Sequence, residues 1–286
     1  MLSSFHKGGY QQRGLALSIL VGVMLSLFVA RVSAQTDSLP TVGVPNSHFA
    51  WFAHAELDAN YIWRGLYCGG LSLQAEADVC YYGFFANMWW NVGTTNWRWG
   101  RKDPLGHPLT DVNAEVDISL GYRYKGFKVL FMQMYFFDCY ADGRRSHFFD
   151  YGNYAPGGGG VTTEWRVGYR ISDRVPLSLL WCTRTFGRDG YMVGGELKRA
   201  YSTYIEARYD QPLPLDMTLT ALIGVTPWKS LYTGFQKQFA VVNLLIGLDK
   251  SWQVAEHCSV NLGGIIALNP SSMEPLWNIS AGVTWN

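Results

Sequence analysis

The sequence predicts an all-β fold: a transmembrane antiparallel up-and-down β-barrel of about 12 strands, with short periplasmic turns and longer extracellular loops. Three observations predict it. Stretches of strict apolar and polar alternation recur along the chain, short connections alternate with long ones, and the N-terminal residues carry an export signal.

The export signal comes first in the chain. Lys7 and Arg13 precede a run from Leu15 to Ala30 that is almost wholly apolar or small. Arg31, Val32, Ser33 and Ala34 then offer small residues where a signal peptidase reads, so cleavage is expected before Gln35. A membrane anchor is the alternative, but the run falls short of the roughly 20 residues a spanning helix needs. Residues 1–34 are therefore expected to be a signal peptide, 35–49 a short periplasmic lead-in and 50–286 the barrel. Loss of the leader removes Lys7, Arg13 and Arg31 and no acid, taking the formal charge from +1 down by three to −2. A near-neutral chain with scattered Lys and Arg disfavours a nucleic-acid partner.

The strands are read at period two. Trp51, Ala53, Ala55, Leu57 and Ala59 alternate with His54, Glu56, Asp58 and Asn60. Leu71, Leu73, Ala75, Ala77 and Val79 alternate with Ser72, Gln74, Glu76 and Asp78, and Ala114, Val116, Ile118 and Leu120 with Glu115, Asp117 and Ser119. Further segments lie at 84–92, 127–136, 161–171, 177–186, 201–209, 216–225, 239–250, 258–268 and 275–285. Four of them (84–92, 127–136, 177–186 and 239–250) are apolar on both faces for part of their length, which leaves their register open.

Tight turns are expected at Tyr82-Gly83, Tyr124-Lys125-Gly126, Ser172-Asp173-Arg174 and Gln211-Pro212, with a moderate one from Gln253 to His257. Between them fall connections through 93–113, 137–160, 187–200 and 226–238, with shorter ones at 64–70 and 269–274. Long and short ends never exchange, as a barrel with periplasmic turns and outer loops requires.

A soluble sandwich or lipocalin-like barrel would alternate too, but with its apolar face turned inward. The composition favours the membrane: 12 Trp, 17 Tyr and 15 Phe make 15% aromatic residues against 16% charged ones. Many of them (Trp51, Tyr61, Trp63, Tyr81, Trp90, Tyr122, Tyr135, Tyr169, Trp252, Trp277 and Trp285) fall near expected strand ends, as interfacial girdles do.

The segment Asn60-Tyr61-Ile62-Trp63-Arg64-Gly65, then Gln74, then Tyr82-Gly83-Phe84-Phe85-Ala86-Asn87-Met88-Trp89 resembles the TorF porin family (Gcw_chp) of Gram-negative outer membranes. Glu115-Val116-Asp117 followed by Gly121-Tyr122 continues the likeness, which runs from about residue 55 to 125 and is architectural beyond it. The resemblance implies an outer-membrane barrel with a pore function and supplies no catalytic residues. The chain departs from many outer-membrane barrels in that Asn286 follows the aromatic Trp285.

If the polar faces line the lumen, Glu56, Asp58, Glu76, Asp78, Glu115 and Asp117 form an acidic arc and Arg166, Arg170, Arg184 and Arg208 a basic one. Opposed arcs would set a transverse field favouring small polar solutes in passive or weakly selective diffusion. The competing expectation is that the charges pair across a narrow interior, with Glu164 and Glu206 neutralising nearby arginines. Arg64-Gly65 is read foremost as a turn at the outer end of the first strand. Contact with lipopolysaccharide phosphate, or folding into the mouth as a constriction, are the alternatives.

Other sites are weighed against this. Ser146, His147 and Asp150 hold the residue types of a hydrolase, but adjacency in one polar loop is not triad geometry. His54 beside Glu56 and Asp58 reads as a hydrogen-bonded liner, and Gly157 to Gly160 lacks the Gly-Lys-Ser/Thr of a phosphate loop. Five cysteines leave at least one unpaired; Cys68 and Cys139 fall in expected outer loops and could bridge there. Cys80 and Cys258 lie about three strands apart, too far to bridge. Cys182 is expected to stay a thiol. No metal spacing and no cofactor motif stands out. The expected partners are outer-membrane lipid, lipopolysaccharide and small polar solutes.

Overall fold

The computed structural model describes residues 49–94, 112–137, 154, 160–172 and 174–286. Residues 1–34, the expected leader, lie outside the described residues.

Twelve strands close into one antiparallel barrel. In chain order the elements begin with β1 (Phe49–Asp58), β2 (Tyr61–Trp63), β3 (Leu66–Gly69), β4 (Ser72–Tyr81), β5 (Phe84–Thr94) and β6 (Val112–Tyr124). There follow β7 (Phe127–Phe136), β8 (Val161–Arg170), β9 (Leu177–Gly187), β10 (Gly190–Val193) and β11 (Glu196–Arg199). The last five are β12 (Thr203–Leu213), β13 (Met217–Thr226), β14 (Ala240–Ala255), β15 (Cys258–Asn269) and β16 (Glu274–Trp285). The barrel runs β1-β16-β15-β14-β13-β12-β9-β8-β7-β6-β5-β4, and β1 pairs with both β16 and β4 to close it. Closure leaves no open edge whose amides would face lipid without partners. The four strands of open register now have one, with Trp89 opposite Asp117, Met132 opposite Glu164, Cys182 opposite Arg166 and Leu245 opposite Leu222.

Alternation puts the wet face inside and the greasy face outside. On β6, Glu115, Asp117 and Ser119 are buried, whereas Ile118 and Leu120 are exposed. The outward residues are large and apolar in strand after strand, with Ile266 at 73%, Ile246 at 64% and Leu120 at 62% exposure. An apolar surface this extensive is what lipid contact demands and water forbids. At the short-turn end Phe49, Tyr81, Phe84, Tyr124, Phe127, Tyr169, Trp252 and Trp285 are exposed and form an aromatic rim. Neighbouring rings touch there, with Phe84 and Tyr122 centroids 4.9 Å apart. Three residues expected in the girdles are elsewhere: Tyr61, Trp63 and Tyr135 are buried, the first two inside the barrel.

The turns correct the sequence reading at two places, and at one of them β14 runs on to Ala255, leaving Glu256 and His257 to make the reversal expected over Gln253 to His257. Gln211 and Pro212 belong to β12, opposite Leu219 and Thr218, and the chain reverses instead at Leu215 and Asp216, both with positive φ. Proline is tolerated because of where its missing donor points. The Asp210 N–H donates to the Pro176 carbonyl just before β9 begins, so two residues on the Pro212 nitrogen lies past the last β9 pair, Tyr209 with Leu177.

The connection at 64–70 is the larger correction. It is not a simple outer turn but the small two-stranded sheet β2-β3, reversed at Arg64 and Gly65 with φ of +49° and +76°, as a primed hairpin turn requires. A second small sheet, β10-β11, projects from the 187–200 connection and is largely exposed.

Candidate functional site

The β2-β3 hairpin folds into the barrel and lies across the lumen near its long-loop end. Tyr61, Ile62, Trp63 and Arg64 are each buried, at 3%, 7%, 6% and 5% exposure. Their sequence explains the choice. Tyr61, Ile62 and Trp63 are apolar in succession, so inside the barrel the segment finds apolar partners for both of its faces.

One flank of the hairpin builds an aromatic layer. Trp63 lies 5.7 Å from Tyr232, Tyr232 lies 5.4 Å from Tyr204, and Tyr61 lies 5.8 Å from Trp89. Tyr232 belongs to a single 3-10 turn (Leu231–Thr233) in the 226–238 connection, and burial pushes its hydroxyl pKa up. On the other flank Ile62 packs against Leu222, Leu245, Ala267 and Leu276. Polar contacts fix the hairpin's position as well. The Asn60 N–H donates to Asn278 Oδ1 at 3.0 Å, Asn269 Nδ2 donates to the Gly65 carbonyl at 3.1 Å, and the Tyr61 hydroxyl donates to Glu115 at 3.0 Å.

Arg64 at the tip is held from several elements at once. Its Nη1 and Nη2 donate to Glu164 Oε2 and Oε1, both at 2.8 Å, a fork-on-fork pairing that fixes the guanidinium plane. Nη1 also donates to the Tyr232 hydroxyl at 2.7 Å and Nη2 to Cys182 Sγ at 2.9 Å. The guanidinium carbon sits 4.6 Å from the Trp63 ring centre and 5.0 Å from that of Tyr204. Of the readings open for Arg64, the turn holds, since Arg64 and Gly65 reverse the hairpin, and the side chain folds into the barrel interior.

The other charged residues take these places. Glu56, Asp58, Asp78, Glu115 and Asp117 are buried on the inner face, and Glu76 is half-buried, accepting from Asn87 Nδ2 at 2.6 Å. Glu56 lies 3.4 Å from His54 Nε2, Asp58 accepts from Asn278, and Asp78 pairs with Arg123, which the sequence reading did not single out. Among the arginines, Arg166 Nε donates to Glu164 at 2.6 Å and Arg208 Nε to Asp210 at 2.8 Å. Arg184 is buried with its guanidinium 5.3 Å from the Trp63 ring centre, while Arg170 is half-buried near the short-turn end of β8. Glu206 accepts from the Tyr204 hydroxyl at 2.5 Å. Arg166 on β8 and Arg208 on β12 thus find acids on their own strands, and Glu164 serves two guanidiniums at once.

Cys68 is on β3 inside the lumen, packed against the aromatic layer, and Cys182 accepts from Arg64. Cys139, the residue offered as a disulfide partner for Cys68, lies outside the described residues, as do Ser146, His147, Asp150 and Gly157 to Gly159. Tyr204, Tyr232 and Arg123 carry contacts that no sequence spacing announced.

No family model matches the sequence, and no curated protein matches it either, so the TorF likeness rests on the residues that carry it. Among solved structures, the NanC porin is 9% identical with a TM-score of 0.46, covering 83% of this chain and 100% of that one. An outer membrane channel from Pseudomonas putida F1 is 9% identical with a TM-score of 0.44, covering 88% and 99%. The translocator domain of the autotransporter NalP from Neisseria meningitidis is 14% identical with a TM-score of 0.40, covering 96% and 98%.

Proposed function

We propose that this protein is an outer-membrane, porin-like channel for small polar solutes, held narrow by the β2-β3 hairpin. The observation that carries the reading is the inside-out distribution of side chains, with carboxylates, guanidiniums and amides on the inner face and large apolar groups outside. A soluble barrel has no use for such an exterior, and a polar, charged interior is what a path for polar solutes requires. Lipid and lipopolysaccharide are its expected surroundings, with the short turns in the periplasm.

Within this reading the acids of β1, β4 and β6 face the arginines of β8, β9 and β12, and the field between them orients dipolar solutes. Twelve strands fall between eight, which side chains fill, and about sixteen, which hold open water. Here the interior near the hairpin is filled: Asp58, Asp117 and Glu164 each have 0% exposure. On this reading the hairpin is what limits conduction. That same burial favours a second reading, a closed barrel that presents its outer segments for binding.

Planar-bilayer recording separates the two. A channel gives discrete conductance steps whose ion preference changes in Asp117→Asn and Arg166→Gln. If neither the native protein nor a variant with a loosened hairpin shows steps, the closed barrel is the correct reading. If steps appear but neither substitution alters ion preference, the transverse field is wrong.

A further inference from the structure

The environment of Arg64 has the form of a ligand site. Glu164 on β8, Cys182 on β9, Tyr204 on β12 and Tyr232 on the 3-10 turn come from four separate elements, and all are buried at 0% to 2% exposure. Together they offer a planar two-oxygen acceptor, a hydroxyl at 2.7 Å, a sulfur at 2.9 Å and an aromatic face at 5.0 Å, all directed at one guanidinium. A guanidinium suits this set better than an ammonium ion, because two parallel N–H groups meet two carboxylate oxygens while the flat face rests on a ring.

Two features make the occupant exchangeable. Arg64 arrives on a hairpin tethered between Asp58 and Ser72, not on a barrel strand. When it leaves, Glu164 does not become a bare buried charge, since Arg166 Nε still donates to its Oε1 at 2.6 Å. The pocket can therefore be vacated without losing all charge compensation.

We propose that Glu164, Cys182, Tyr204 and Tyr232 form a guanidinium-binding pocket occupied in cis by Arg64, and that a solute carrying a guanidinium group displaces Arg64 and releases the hairpin. The proposal rests on the channel reading for the route by which the solute arrives and for the consequence of release. The pocket itself stands on the contacts above.

The test uses the folded barrel in detergent with Arg64→Ala, which empties the pocket, and L-arginine, L-lysine and the uncharged isostere L-citrulline as probes. Calorimetry should show saturable L-arginine binding to R64A, at least tenfold tighter than L-lysine, with no binding of L-citrulline and none of any probe to R64A/E164Q. Native protein should bind L-arginine more weakly than R64A, because Arg64 competes. Equal binding of L-lysine, binding that survives Glu164→Gln, or no binding to folded R64A would each overturn the proposal. If R64A does not fold, the native channel decides: L-arginine should raise open probability at concentrations at least tenfold below L-lysine, and equal potency refutes the pocket. Binding to R64A without conductance from any variant would retain the pocket and reject the channel, so the two failures are distinguishable.

Discussion

The backbone of Gly65 lies directly against that of Val242 on β14: a Cβ added to Gly65 would fall 2.0 Å from the Val242 carbonyl oxygen. With φ at +76°, Gly65 also occupies a conformation that side chains resist. Hairpin and barrel wall thus meet through backbone, at a place where neither can yield by rotating a side chain.

Gly65→Ala is therefore expected to push the hairpin tip off the wall while leaving the barrel closed, because the twelve-strand ladder does not pass through the hairpin. The channel reading predicts larger or more frequent conductance steps for G65A than for the native protein. Retained heat-modifiable migration on gels would show that the barrel has survived. An intact barrel with unchanged conductance would mean that the hairpin is not what limits flow.

Glu164 should matter more to stability than Arg64. Removing the carboxylate by Glu164→Gln leaves the buried Arg64 and Arg166 guanidiniums without their shared anion, a change that costs about 3–5 kcal/mol when one partner of a buried pair is lost. Arg64→Ala leaves Glu164 still paired with Arg166, so its cost should be smaller. Equilibrium urea unfolding in lipid vesicles measures both. A larger loss for R64A than for E164Q would contradict the view that Arg166 sustains the vacated pocket.

Those contacts were the part of the molecule hardest to read in the chain. Alternation in Ala114 to Leu120 or Ile279 to Trp285 reports directly on which side of a strand faces lipid, whereas the four segments apolar on both faces could be located as strands but given no register, and one of them, 239–250, runs on to Ala255. The segment Tyr61-Ile62-Trp63 has no alternation to report. It looked like the aromatic end of a strand, and only the filled interior distinguishes a girdle from a plug. Arg64 meets Glu164 across 100 residues and Asn60 meets Asn278 across 218, encounters set by barrel closure and not by local spacing. Pro212 misled in the opposite sense, since a residue that usually marks a turn can sit in a strand whose neighbour has already ended. Glu164 beside Arg166 was legible, being two residues away on one strand, whereas Asp78 takes Arg123 from another strand, a choice that depends on register.

The orientation of the barrel wall yields a test that does not involve the lumen. Ile246, in the middle of β14, points outward at 64% exposure, and its strand neighbour Leu245 points inward at 7%. If the exterior faces hydrocarbon, Ile246→Arg should cost about 2–4 kcal/mol in lipid vesicles, and the same substitution near the rim, at Trp252, should cost about 0–1 kcal/mol from the charge itself. Ile246→Ala controls for the loss of apolar contact. A soluble barrel would respond little, because arginine on an exposed strand position in water is close to neutral. Vesicle-based unfolding of I246R and I246A measures the difference, and equal stabilities would remove the membrane from the account of this protein.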